Sequence, residues 1–256
     1  MSKYQFINYS EDGGVARITL AREPLNILNI AMMEDINAAL DELKGRTDIK
    51  VIVFDAEGKA FSAGVDVGEH MGDTASKMIE VFHGMFRRLN ETGITSIAVV
   101  DGNALGGGCE LATFCDIVIA SDKSKFGQPE IQVGVYAPIA CIIWPKIMGR
   151  KKALELLLSG KVFGADEACK LGLVNAVVPS EEIKEESGKL IGGLASLSAP
   201  VLKLTRRATN RDYEDQFSKQ LKKVEKVYLN ELMATADAHE GLNAFLEKRK
   251  PDWKNE

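Results

Sequence analysis

The stretch Ala104 to Val135 reads ALGGGCELATFCDIVIASDKSKFGQPEIQVGV, and the rest of the chain is interpreted outward from it. Just before it, Ser96 to Asp101 (SIAVVD) is a short run rich in β-branched residues that reads as a buried strand. Glycines 106, 107 and 108 then allow a tight turn and a close approach of a ligand to bare backbone. The apolar run Leu111 to Phe114 marks a helix starting there. Asp116 to Ala120 returns as another short strand. Strand, glycine loop, helix and strand in this order are the ingredients of an α/β sheet with crossover connections.

Upstream the pattern repeats in kind. Val15 to Leu20 (VARITL) and Val51 to Ala56 (VIVFDA) read as strands. Between them Met32, Met33, Ile36, Ala39, Leu40 and Leu43 recur at helical spacing, opposite Glu34, Asp35, Asp41 and Glu42. Thr74 to Leu89 gives a second helical segment, so an α/β fold with a parallel-type sheet is expected. Beyond Arg150 the character changes to mostly helical: Lys151 to Leu158, Asp166 to Leu171 and residues 201–249, with one strand at Leu173 to Val178. No internal repeat or low-complexity tract is legible. A soft boundary near Ala199-Pro200 divides residues 1–199, the α/β core, from 200–256, a helical C-terminal region.

Composition narrows the function. A chain of 256 residues with 45% apolar content can bury one sizeable core. A formal net charge of −5 in mixed rather than blocked charges argues against nucleic acid or an anionic membrane as partner. Cys109, Cys115, Cys141 and Cys169 lack metal-ligand spacing, and His70, His83 and His239 form no metal motif, so no metal is expected. MSKYQFINYS at the start lacks the character of a secretory signal and no later run is long enough to span a bilayer, which leads us to expect a soluble cytoplasmic protein.

Two loops follow strands and so reach the same sheet edge: Gly58 to Asp66 (GKAFSAGVD) and Gly102 to Glu110 (GNALGGGCE). Taken alone, glycines 106 to 108 serve as well for a plain strand-to-helix turn as for an oxyanion site, and Gly64 beside Ala63 reads first as small-residue packing. Converging, their amides suit a thioester carbonyl as it becomes enolate-like. A phosphate-binding P-loop would need Lys-Ser or Lys-Thr after the glycines, where Cys109-Glu110 stand. A dinucleotide fingerprint fails on spacing, and there is no GxSxG elbow. Glu110 lies directly after the glycine turn, and Glu130 follows Phe126-Gly127-Gln128-Pro129 among apolar neighbours. If the return from Asp116 to Ala120 brings them opposite one another, one could take a proton from water while the other supplies one, with burial and mutual charge separating their proton affinities.

On these residues the chain resembles the enoyl-CoA hydratase/isomerase (crotonase) family. Further landmarks are PLNILN (Pro24 to Asn29), FSAGVD (Phe61 to Asp66), LSGKVFGADEACKLGLVNAVVP (Leu158 to Pro179) and EGLNAFLEKRKPDW (Glu240 to Trp253). The resemblance implies a crotonase-like spiral of ββα units with a C-terminal helical trimerisation region, assembled as a homotrimer or dimer of trimers. It implies an acyl-CoA substrate, with coenzyme A as part of the substrate and no tightly bound cofactor. Catalytic carboxylates carry over to Glu110 and Glu130 and oxyanion amides to Val65 and Gly107. CoA contacts carry over to Pro24, Leu25 and Ile27, to Ala63, Gly64, Asp66 and Val67, and to Phe245 and Lys248 of the C-terminal helix, of this or a neighbouring subunit. Hydration is favoured because both glutamates are present. Isomerase or hydrolase activity on the same scaffold, and a non-catalytic CoA- or RNA-binding relative, are the competing readings.

One segment departs from the family pattern. Where many family hydratases carry Pro-Gly-x-Gly-Gly, this chain has Val135-Tyr136-Ala137-Pro138-Ile139-Ala140-Cys141. Pro138 has no amide hydrogen, so a backbone bond available to other members is expected to be missing. Tyr136, Pro138 and Ile139 would reshape the acyl side if they line it. This VYAPIA segment is similar to that of the subfamily hydrating cyclic dienoyl-CoA thioesters in anaerobic aromatic degradation, which implies 1,4-addition of water. An aliphatic 2-enoyl-CoA substrate is the alternative.

Overall fold

Four consecutive strand–strand–helix units carry the chain from its first strand to Met148. The computed structural model describes residues 3–72, 74–211 and 213–256, so the helical expectation at position 212 lies outside the described residues. The units are β1 (Ile7–Asp12), β2 (Val15–Leu20) and α1 (Ile30–Leu43); β3 (Val51–Ala56), β4 (Ala60–Ser62) and α2 (Thr74–Thr92); β5 (Thr95–Val100), β6 (Asn103–Leu105) and α3 (Gly107–Phe114); and β7 (Ile117–Ser121), β8 (Lys125–Gly127) and α4 (Pro138–Met148). There follow α5 (Arg150–Ser159), β9 (Val162–Gly164), α6 (Ala165–Lys170), β10 (Ala176–Val178), α7 (Ile183–Ala195), α8 (Ala199–Asn210), α9 (Tyr213–Asn230) and α10 (Ala236–Leu246).

The strands form two sheets. The larger has the order β1-β2-β3-β5-β7-β10, parallel throughout except for the β1–β2 hairpin. The smaller has the order β4-β6-β8-β9, with β9 antiparallel. From the second unit onward, each unit adds its first strand to the large sheet and its second to the small one, so the chain advances as a spiral. The α/β spiral implied by the family resemblance is this arrangement. The units repeat a path and not a set of residues, which is why the sequence shows no repeat.

Several elements differ from the sequence reading. The hairpin strand β1 goes unremarked there, although Gly13-Gly14 between two strand-like runs is a turn signal. The small sheet is also missed, because three-residue strands are too short to show a period. Helix α3 starts at Gly107, four residues before Leu111, and β10 occupies only the last half of Leu173 to Val178.

The continuous apolar runs of β3 and β5 are explained by burial on both faces. Ile52, Phe54, Ala98 and Val100 belong to the main core beneath α1 and α2. Val51, Val53, Ile97 and Val99 meet Ile183 and Ile191 of α7 on the other side. The C-terminal helices do not stand apart from this core: Phe217, Leu221 and Tyr228 of α9 and Leu242 of α10 are buried in it. By contrast α8 has no buried residue, and Val201 and Leu204 on it are exposed. Among the described residues no helix is long and apolar enough to cross a membrane.

Candidate active site

The second and third ββα units each deliver a loop to the same cavity, of about 340 Å³. In the first loop, Leu28 N–H donates to Gly64 O (2.9 Å) and Asp66 N–H donates to Leu28 O (3.0 Å). The intervening Val65 amide therefore turns away from Leu28, and Val65 lines the cavity. In the second loop Gly107 is the first residue of α3, where an amide has no carbonyl of its own helix to reach. It lines the same cavity.

Close packing explains the glycines between these amides. A Cβ on Gly106, whose φ is 52°, would lie 2.5 Å from Glu130 Oε1. One on Gly107 would lie 2.6 Å from Val65 Cγ2, and one on Gly108 2.4 Å from Ser62 Cβ. Gly64, with φ of 115°, fits against Leu105 O and the Gly106-Gly107 backbone. The glycine triplet is thus more than a strand-to-helix turn: its bare backbone lets α3, the first loop and Glu130 meet.

Glu110 stands in the first turn of α3 and is only 2% exposed. Its Oε1 accepts from Ile139 N–H (2.7 Å) and Ala140 N–H (3.0 Å), at the first turn of α4. Donors and the positive end of a helix both favour the carboxylate form. Burial opposes them and wins, pushing the Glu110 carboxyl up to about 7. Pro138 occupies the first position of α4, where an amide hydrogen would have no helical partner in any case. The backbone bonds to the carboxylate come from the two following residues, so the proline does not cost Glu110 its donors.

Glu130 sits on a short 3-10 turn, Pro129–Val133, facing the same cavity. Burial and then the charge of Glu110 raise its carboxyl well above the ordinary range. With its amide nitrogen oriented toward the surrounding acceptors, buried Gln128 donates to Gly106 O (3.1 Å) and to the Glu130 carboxylate (3.2 Å). Gln128 lies in plain view in the FGQPE string, but only its burial shows that it braces the glycine turn and Glu130.

The cavity takes in Ala63, Gly64, Val65, Val67, Gly107, Glu110, Glu130, Tyr136, Pro138 and Phe245. It leaves out Pro24, Leu25, Ile27, Asp66, Ile139 and Lys248. Pro24 and Leu25 are exposed beside the first loop, and Lys248 is exposed past the end of α10. Ile139 departs most from its expected place: its side chain is fully buried in the core, and its amide is what reaches the site. Phe245 lines the cavity of its own chain. The sequence reading misses Met78, Ile79 and Phe82 of α2 and Tyr228 of α9, which wall the cavity. Phe217, Leu221, Val224 and Tyr228 keep helical spacing, which assigns Tyr228 an inner face without saying what it meets.

Two unspent amides beside a buried and a half-buried carboxylate of unequal surroundings can hold an oxygen that gains negative charge while one carboxylate accepts a proton and the other gives one. Residues 10–256 match the family model described as enoyl-CoA hydratase/isomerase. Cyclohexa-1,5-dienecarbonyl-CoA hydratase of Thauera aromatica is 37% identical, over 95% of this chain and 94% of the relative. A probable enoyl-CoA hydratase of Mycobacterium bovis is also 37% identical, over 98% of each chain. The crystal structure of an enoyl-CoA hydratase from Mycobacterium avium subsp. paratuberculosis superposes with a TM-score of 0.88 at 26% identity, over 98% of this chain and 99% of the other. Family model, relatives and fold agree, and the chain belongs to the enoyl-CoA hydratase/isomerase (crotonase) family, whose relatives here are named as hydratases, enzymes of the carbon–oxygen lyase type.

Proposed function

We propose that this protein adds water to an α,β-unsaturated acyl-CoA thioester, with Glu110 as general base and Glu130 as general acid. The observation that carries the reading is the unequal pair of carboxylates: the one with two amide donors ionises first, and its charge keeps the other protonated. The Val65 and Gly107 amides hold the thioester oxygen. Glu110 takes one proton from water as the new carbon–oxygen bond forms, electron density moves onto the thioester oxygen, and the enolate collapses as Glu130 protonates carbon. The sum is one H and one OH added, with no redox change. Exposed Pro24 and Leu25, with Ile27, Asp66 and Lys248 outside the cavity, accompany the CoA moiety. Exposed Val201 and Leu204 of α8, with Leu197 just before it, support burial of this segment in a homotrimer or dimer of trimers of a cytoplasmic enzyme.

For the acyl group, a cyclic dienoyl thioester hydrated by 1,4-addition is the finer reading. It is supported by the aromatic walls Phe82, Tyr136 and Tyr228 and by the likeness to the Thauera aromatica hydratase. Purified enzyme incubated with crotonyl-CoA and with cyclohexa-1,5-diene-1-carbonyl-CoA in 18O-water tests both levels. We expect one labelled hydroxyl per product, with the cyclic substrate turned over at least about 10-fold faster, a difference of about 1.4 kcal/mol in transition-state binding. Turnover of crotonyl-CoA with none of the diene removes the cyclic assignment and keeps the hydratase. A shifted double bond without label, or free CoA, replaces the hydratase by an isomerase or a hydrolase.

A further inference from the structure

Two tyrosines from different elements meet edge-on in the cavity wall, with ring centroids 5.3 Å apart and planes at 69°. Their hydroxyls are used differently. Tyr136 donates to Val224 O at 2.8 Å, which ties the segment before α4 to α9. Tyr228 is 1% exposed and lines the cavity, and among the described residues its hydroxyl has no hydrogen-bond partner. A hydroxyl that opens on the cavity without a protein partner is free to donate to a ligand oxygen. Burial first, and then the negative charge held by the Glu130–Glu110 pair, keep the Tyr228 phenol in its protonated, donating form.

We infer that the Tyr228 hydroxyl is a third polar group of the reaction chamber, donating a hydrogen bond to the oxygen that is added to, or removed from, the acyl group. The inference rests on the hydration reading above. As Glu110 removes a proton from water, the oxygen acquires hydroxide character, and a donor fixed by the fold stabilises that charge without reorganising. The same contact serves the departing hydroxide in the reverse direction. After addition the donor meets the product hydroxyl, so it separates hydroxylated from unhydroxylated acyl groups even where no bond is made or broken.

Tyr228→Phe keeps the ring and its edge contact and removes only the donor. The test is binding of 3-hydroxybutanoyl-CoA against butanoyl-CoA, and of a hydroxylated against an unhydroxylated cyclohexenecarbonyl-CoA, by calorimetry on wild type and variant, with steady-state hydration alongside. Wild type should prefer the hydroxylated member of at least one pair. Tyr228→Phe should lose that preference by about 5- to 20-fold, leave binding of the unhydroxylated member within about 2-fold, and lower kcat about 10- to 100-fold with KM little changed. Tyr136→Phe, which removes the Val224 bond, should move both members of a pair alike. Equal losses for both members in Tyr228→Phe, an unchanged kcat in an active enzyme, or no wild-type preference for hydroxylated ligands overturns the inference. Failure of the hydration reading looks different: wild type adds no water to any enoyl-CoA, and the binding contrast still decides what Tyr228 recognises.

Discussion

Glu110 and Glu130 are the same residue type facing the same cavity, but the two regions that hold them are built differently. Glu110 is held by the N-termini of two helices: it rides in the first turn of α3, and the first turn of α4 supplies two amides to one of its oxygens. Glu130 is on a single 3-10 turn beside Gly106, and buried Gln128 donates to its carboxylate. Both are desolvated, so both carboxyls are raised. The difference in donors decides which of the two carries the negative charge. A matched pair would share a proton without a preferred direction, whereas this pair has one.

Removing either member is the harshest way to break the comparison. Glu110→Gln and Glu130→Gln should each lower kcat by about 10²- to 10⁴-fold in a continuous hydration assay, the range for loss of a positioned acid or base. Only Glu110→Gln should abolish the acidic limb of kcat/KM, which in wild type should fall near pH 7 as Glu110 takes up its proton. A limb that persists in Glu110→Gln and vanishes in Glu130→Gln would reverse the assignment of base and acid.

A gentler perturbation moves one region alone. Gly106→Ala places a methyl group 2.5 Å from Glu130 Oε1 at a φ of 52°, while the amides on Glu110 lie on another element. The expected result is a fall in kcat of about 10- to 100-fold, equivalent to about 1.4–2.7 kcal/mol, with the acidic limb near pH 7 retained. An unchanged kcat would show that Glu130 need not stand against the glycine turn.

The smallest effect is on stability. Both carboxyls are raised in the folded state, so the stabilisation from holding them protonated is complete below the unfolded value near 4.5 and is lost as pH rises through about 7 and beyond. Wild type should therefore lose stability over that window. Glu130→Gln, which cannot ionise, should melt about 2–4 °C above wild type at pH 8 and close to it at pH 4.5, by calorimetry. A gap of the same size at both pH values would mean that the charge on Glu130 is not what the fold resists.

The amino-acid sequence by itself determined the α/β class, the parallel central strands and the glycine loop beside Glu110, because burial on both faces and freedom from Cβ are written in residue type. It also supplied FSAGVD, FGQPE and the other strings by which the family is recognised. Tertiary structure alone decided that Glu130 lies against Gly106, that Ile139 acts through its amide rather than its side chain, and that Pro138 removes no donor from Glu110. It also decided that α9 and α10 close the cavity of their own chain with Tyr228 and Phe245. These are contacts between residues 20 to more than 100 positions apart, made by backbone amides or by side chains at a helix's inner face. Local pattern reports which face is apolar, but what that face meets depends on how four ββα units stack, and no single stretch of sequence contains that.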